Sequence, residues 1–324
     1  MSPLADPDAD IAERLPEPAP GIDRYVELCH SQPPAPDLET MRLNGDLTAG
    51  RFAQELSPRV TRFDSYIPAV GREIPVRIFD PGGDGARPAL CYFHGGGFAM
   101  GSVASFDIAC AALAEATGAV VVSVHYRRLP EADYAAAQDD CDKAFAWMVR
   151  QAAALGVDPR RTGVAGDSAG ALLALASAAN LRDAGGAAPA FQLLFYGTFA
   201  MDPDRPAYAQ SRDPMLSVDR VRGYIALFRS RGGLFRQPAP VDRADLAGLP
   251  PTLIVAAQLD PLRQEGEELA ERLARAGVAT TLQVAPGMIH GFLRAIGVSA
   301  AARVQLARPA DAAHLREQAP HQGP

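Results

Sequence analysis

The sequence has almost no lysine: Lys143 is the single one in 324 residues, so nearly all of its 31 basic side chains are arginine. That shortage removes several chemistries. A phosphate-cradling Walker loop, a pyridoxal Schiff base and a Ser-Lys dyad each need a lysine at a defined place. Lys143 follows Asp139-Asp140-Cys141 in a helical stretch that offers none of those settings. Basic runs are missing as well. With 38 acidic residues against 31 basic ones the net charge is -7, which argues against nucleic acid or an anionic membrane as partner, because phosphate binding needs clustered cations. Cys29, Cys91, Cys110 and Cys141 form no C-x-x-C and sit in apolar or helical segments, the pattern of reduced, buried thiols and not of a disulfide framework. No apolar run approaches membrane-spanning length. The stretch from Met1 to Pro20 is acidic and Pro-rich, without the basic start and apolar core of a secretory signal. The expectation is a cytoplasmic protein without membrane insertion.

What is present is the balance of a globular chain able to bury a large core, 48% hydrophobic and 21% charged. Residues 1–56 mix short helical patterns (Ile22 to His30, Leu47 to Leu56) with Pro and Asp breakers and read as an appendage without a strand. From Val60 to Asp80 the pattern alternates as two antiparallel strands around a turn at Pro68-Ala69-Val70-Gly71. Beyond it, apolar strand candidates (Ala89 to His94, Val120 to His125, Gly163 to Gly166, Phe191 to Tyr196, Leu253 to Ala257, Thr281 to Ala285) alternate with helical stretches. The helices are expected at Ser105 to Thr117, Tyr134 to Leu155, Ala169 to Leu181 and Glu265 to Ala276. Such alternation predicts an α/β fold with a mostly parallel sheet covered on both faces, because parallel neighbours need crossover helices. The rhythm breaks at residues 201–249, a polar, Pro- and Arg-rich stretch with one good helix, Val218 to Arg229, whose length suits a lid or cap inserted in the core. The core therefore falls into two parts, 57–200 and 250–324. No internal repeat is present, and the residues after about Glu317 are expected to be disordered.

Two glycine-rich motifs carry chemistry. Gly166-Asp167-Ser168-Ala169-Gly170 has the G-x-S-x-G form of a nucleophile elbow, placed where a strand meets a helix. A turn that drives a serine up between the two strains its backbone and leaves room only for small neighbours, which Gly166, Ala169 and Gly170 supply. The motif is short enough to arise by chance, and its weight comes from its company. His94-Gly95-Gly96-Gly97 follows an apolar strand, where closely approaching backbone N–H groups would be needed to stabilise a developing oxyanion. Gly96, Gly97 and Ala169 are the expected donors. A dinucleotide-binding loop is the competing reading of these glycines, but its G-x-G-x-x-G spacing fails at Met100.

A serine hydroxyl needs a base, and His290 is the best placed of six histidines, in a loop directly after the strand Thr281 to Ala285 and so at the carboxyl edge of the sheet. His30 belongs to the appendage, His314 and His321 lie near the end, His94 supports the glycine loop, and His125, at a strand end, is the rival. Asp260, just past the strand Leu253 to Ala257, is placed to orient that base, with Glu265 as the alternative acid and a helix cap as its plainer role. The order Ser, Asp, His is the one associated with α/β-hydrolases.

These motifs resemble the hormone-sensitive-lipase family of bacterial carboxylesterases. The resemblance rests on His94-Gly95-Gly96-Gly97-Phe98, Gly166-Asp167-Ser168-Ala169-Gly170, Asp260-Pro261-Leu262-Arg263 and His290-Gly291-Phe292, with Tyr126-Arg127 and Pro130-Glu131, and it spans roughly residues 60–295. It implies an α/β-hydrolase fold with a core sheet of about eight strands. It also implies a helical cap built from residues 1–56 and 201–249, and hydrolysis of short-chain acyl esters, a small-molecule substrate, without cofactor or metal. Gln264 replaces an acidic residue common in that family, and Arg128-Leu129 stands where Leu-Ala is usual; altered local pairing is expected there, not lost catalysis. Lactone or amide hydrolysis on the same fold, and a non-catalytic receptor that keeps the pocket, are the alternatives. The oligomeric state stays open, a homodimer among the options.

Overall fold

The computed structural model describes residues 17–52, 59–233 and 245–312. Eight strands form one sheet in the order β1-β2-β4-β3-β5-β6-β7-β8. They are β1 (Thr61–Ala69), β2 (Arg72–Asp80), β3 (Arg87–Phe93), β4 (Val120–Val124), β5 (Val157–Asp167), β6 (Phe191–Phe195), β7 (Thr252–Ala257) and β8 (Thr280–Ala285). β2 runs antiparallel to both its neighbours, β1 and β4, and every pairing from β4 to β8 is parallel. The β1–β2 hairpin turns at Val70-Gly71, where Gly71 takes a left-handed φ of 73°.

Alternation along the central strands builds two cores. Ala89, Cys91 and Phe93 of β3, Val120, Val122 and Val124 of β4, Val164 of β5 and Ile254 of β7 face one side. There they meet Phe145 and Met148 of α4 (Tyr134–Arg150), Leu172 and Leu173 of α5 (Ala169–Asp183) and Leu269 and Leu273 of α7 (Arg263–Arg275). The intervening residues Leu90, Tyr92, Val121, Ala165 and Val255 face the other side. They pack with α3 (Asp107–Thr117), through Ala109, Leu113 and Ala114, and with α8 (Ala300–Ala312), through Ala302 and Leu306. Period-two alternation with both faces apolar is what a covered, mostly parallel sheet requires.

The remaining helices are α1 (Ile22–His30), α2 (Leu38–Phe52) and α6 (Val218–Ser230). α2 starts nine residues before the expected Leu47 because Asp37 accepts the Thr40 N–H (2.7 Å) and caps the helix there; the expected end at Leu56 lies outside the described residues. Asn44-Gly45-Asp46 lie inside the helix, whose last turn buries Thr48, Ala49 and Phe52. The 3-10 turn at Phe292–Gly297 and α8 were not anticipated; both follow the histidine loop and close the second core. Among the described residues no helix is long and apolar enough to cross a membrane.

The parallel strands share one carboxyl edge, and their chain turns set the site there. α5 abuts the end of β3 so tightly that a Cβ on Gly170 would lie 1.9 Å from the Phe93 carbonyl oxygen. Gly170→Ala must therefore push α5 away from β3, at a cost on the order of 3 kcal/mol in the overpacking range. A clearly lowered thermal midpoint in differential scanning calorimetry is the expected result, and an unchanged midpoint would contradict this contact.

Candidate active site

Ser168 stands in the connection from β5 to α5 with φ 52° and ψ -121°, a conformation that L-residues avoid. The surroundings hold it there. Its N–H donates to the Phe195 carbonyl (2.9 Å), and its own carbonyl accepts from Ala171 (3.1 Å) and Thr198 (3.4 Å). A Cβ on Gly166 would sit 2.3 Å from the Gly170 oxygen, so only glycine fits that arm of the turn.

The three side chains singled out in sequence meet. Ser168 Oγ lies 2.9 Å from His290 Nε2, and His290 Nδ1 lies 2.7 Å from Asp260 Oδ2. With the ring proton on Nδ1, the imidazole donates to Asp260 and accepts from the serine hydroxyl. Asp260 is fixed in turn, its Oδ1 accepting the Leu262 N–H at 2.8 Å. The edge of the Tyr196 ring packs against the imidazole at 5.1 Å between centroids. Burial opposes the charged imidazolium, but the carboxylates of Asp260, Asp213 and Asp167 outweigh it and hold the His290 pKa above its ordinary 6.5.

Gly95, Gly96 and Gly97 face Ser168 across a cavity. Gly96 and Gly97 take positive φ of 119° and 60°, and neither amide donates to an acceptor among the described residues. Ala169 opens α5, where the first N–H groups have no partner within the helix. The loop is fastened from below by Asp167, whose Oδ1 accepts both the Gly95 N–H and the Tyr92 hydroxyl at 2.7 Å. Burial pushes the Asp167 pKa up to about 6, against the pull of those hydrogen bonds. His94 is buried between Tyr126 and Phe106, with ring centroids 4.4 and 5.8 Å away, and its Nδ1 contacts the Gly95 carbonyl at 2.9 Å. Arg128 donates to the Gly101 carbonyl (2.6 Å), which brings the unusual Arg128-Leu129 pair to bear on this loop.

The alternatives lie elsewhere. His125 packs 6.1 Å from the His94 ring and is not among the cavity's lining residues. Glu265 is fully buried and accepts the Phe199 and Ala200 N–H groups and the Tyr208 hydroxyl, an anchor for the chain leaving β6. His314 and His321 fall outside the described residues.

Two carboxylates with a part in the site escaped the sequence reading. Asp167 occupies the variable position of its motif, and nothing along the chain joins it to Tyr92 and Gly95. Asp213 lies in the stretch 201–249. Its Oδ1 accepts the N–H groups of Met215 (2.8 Å) and Leu216 (3.0 Å), a local turn that Asp-Pro signals in sequence. Its Oδ2 accepts the His290 N–H at 2.5 Å, a contact across 77 residues with no local signature. Burial and the nearby Asp260 raise the Asp213 pKa to about 6.

The cavity holds about 560 Å³. Beside the sheet edge it is lined by residues of α1 and α2, among them Tyr25 and Asp46, and by Val221, Tyr224 and Ile225 of α6. α6 touches the glycine loop directly, since a Cβ on Gly97 would lie 2.1 Å from the Tyr224 ring.

A family profile described as alpha/beta hydrolase fold matches residues 90–294. The chain is 39% identical over 238 residues to the carboxylesterase NlhH of Mycobacterium tuberculosis, covering 71% of this chain and 75% of that protein. To the ethyl acetate hydrolase of Pseudomonas putida it is 37% identical over 243 residues, covering 69% and 73%. The crystal structure of an esterase from the archaeon Pyrobaculum calidifontis superposes with a TM-score of 0.82 at 32% identity, over 91% of this chain and 97% of that one. The chain belongs to the α/β-hydrolase family, in the hormone-sensitive-lipase branch of its carboxylesterases.

Proposed function

We propose that the protein is a serine carboxylesterase that hydrolyses short-chain acyl esters through Ser168, His290 and Asp260. The observation that carries this reading is the unbroken relay from hydroxyl to imidazole to buried carboxylate, at 2.9 and 2.7 Å, on the rim of a cavity. Ser168 Oγ attacks the ester carbonyl carbon while His290 Nε2 takes its proton. The alcohol then leaves with that proton, and an acyl group remains on the serine. A water gives a proton to His290 and attacks the acyl carbon; the acid departs as Ser168 regains its hydrogen. Asp260 stabilises the imidazolium that forms in each half. The free amides of Gly96 and Gly97, with Ala169, receive the oxyanion, whose charge grows only on the way to the tetrahedral state.

α1, α2 and α6 act as the cap over this rim. A short acyl group is supported by similarity to a relative named for ethyl acetate hydrolysis. The four cysteines, all free, suit a cytoplasmic setting.

Ser168→Ala is expected to lower kcat on nitrophenyl butyrate by about 10⁴-fold or more and to abolish labelling by a fluorophosphonate. Turnover near that of the unmodified enzyme would overturn the assignment. Across nitrophenyl esters, acetate and butyrate should outperform decanoate, and the reverse order would remove the short-chain reading.

The pH dependence follows from His290. Imidazole serves as base only when neutral, and its pKa is raised, so kcat/KM falls as pH drops through a value above 6.5. Asp213→Asn removes one of the negative charges favouring imidazolium. The acid limb should then move to lower pH, while a limb that stays in place or moves up would show that Asp213 exerts no field on the ring.

A further inference from the structure

The cavity beside Ser168 contains a charge that ester hydrolysis does not use. Arg294, from the 3-10 turn after the histidine loop, lines it together with Ser168 and His290. Its guanidinium lies over the rings of Phe106 (5.7 Å) and Phe52 (6.0 Å), so its N–H edge is what remains for polar partners. Of that fork, Nη2 reaches only the Gly45 carbonyl, at 3.4 Å, and Nε is buried without an acceptor. Among the described residues no carboxylate forms an ion pair with it. Five other part-buried arginines have one: Arg42 pairs with Glu131, Arg72 with Asp140, Arg77 with Asp107, Arg87 with Asp80 and Arg205 with Glu268. Arg128, which donates to the Gly101 carbonyl, shares the lack of an ion pair but does not line the cavity.

Asp167 acts on this guanidinium, but no carboxylate pairs with it, and a shielded guanidinium without an ion pair can take an arriving anion. Arg220, at the start of α6, also lines the cavity, and the one hydrogen bond its side chain donates to a described residue goes to the Met215 carbonyl (3.0 Å). Cys29, Arg220 and Arg294 all line this one cavity. The acids among the cavity's lining residues have other partners: Asp46 accepts from Ser102 Oγ (2.6 Å), and Asp167 holds Tyr92 and Gly95.

We propose that Arg294, aided by Arg220, forms a subsite for a carboxylate borne by the ester itself, so that the substrates include short esters carrying a free carboxylate. The inference rests on the serine esterase reading of the same site. A planar fork facing a carboxylate allows two parallel N–H···O bonds, which fixes the ester's orientation as well as adding affinity.

Two matched pairs test it, one with the anion on the acyl side and one on the alcohol side. Monoethyl adipate is compared with ethyl 6-methylheptanoate, and 4-acetoxybenzoate with 4-isopropylphenyl acetate; each neutral ester replaces carboxylate by an isopropyl group of similar shape. The expected result is a charged-to-neutral ratio of kcat/KM in the unmodified enzyme of at least about one tenth in one pair, and a fall of that ratio by about tenfold or more in Arg294→Met, carried by KM. Unmodified-enzyme ratios below that value in both pairs overturn the proposal, as does a ratio that falls less than about fivefold in the variant. Fluorophosphonate labelling of Arg294→Met shows whether its site is assembled; if it is not, the ratio of the unmodified enzyme decides. Ser168→Ala separates the two readings: surviving hydrolysis of the neutral esters refutes the serine mechanism, whereas its loss together with an indifferent Arg294→Met refutes the carboxylate subsite alone.

Discussion

The structure turns on the forced conformation of one residue. Ser168 is held at φ 52°, and nothing local to a serine favours that angle. It persists because β5 and α5 are each locked to the sheet, and because the groups that would clash are missing at Gly166 and Gly170. The Phe195 carbonyl takes the serine's own N–H. Strain of this kind is held by the cooperative stability of the core around it, and the two apolar faces of the sheet supply that stability. The geometry of the relay follows. Once Oγ is fixed above the strand end, His290 and Asp260 need only be presented from the ends of β8 and β7, neighbours in the sheet, to fall within hydrogen-bond reach.

A second set of contacts ties the covering elements to this frame. Asp213 joins the chain before α6 to the backbone of His290, and Glu265 joins the chain after β6 to α7. Arg42 of α2 donates to the carbonyls of Ala99 and Leu129, which brings α2 onto the glycine loop. The cover is thus bonded to the same loops that carry the site residues. A change in its packing reaches His290 and the glycine loop without passing through the core.

The sequence showed what local chemistry determines. Strand alternation, the two glycine motifs and the Ser, Asp, His order depend on residues close in the chain, and the strands expected at Ala89 to His94, Val120 to His125 and Phe191 to Tyr196 match β3, β4 and β6 to within two residues. α2, expected from Leu47, begins at Leu38, where the Asp37 carboxylate caps it, and runs on to the buried Phe52. Asp213 could be read as a turn former through one oxygen, but its second oxygen makes a long-range bond. Arg294 was equally opaque, one arginine among many until Phe52 and Phe106 cover its faces. Residues whose role is set by a neighbour far along the chain carry no periodicity or spacing to betray them.

Charge around the base makes the arginines consequential. His290 lies in the field of three carboxylates, Asp260, Asp213 and Asp167, which together favour its imidazolium form. The same field repels any anion brought to Ser168, and in a chain of net charge -7 the wider surface adds to the repulsion. Arg294 opposes it: its guanidinium acts on Asp167 and lines the same cavity as Ser168. A lysine in its place would present a compact, strongly hydrated charge, whereas guanidinium tolerates a position over two phenyl rings and keeps its charge at every working pH. Near-exclusive use of arginine for positive charge is therefore more than a compositional accident at this position, because a half-buried cation beside the proposed base must neither titrate nor demand full hydration.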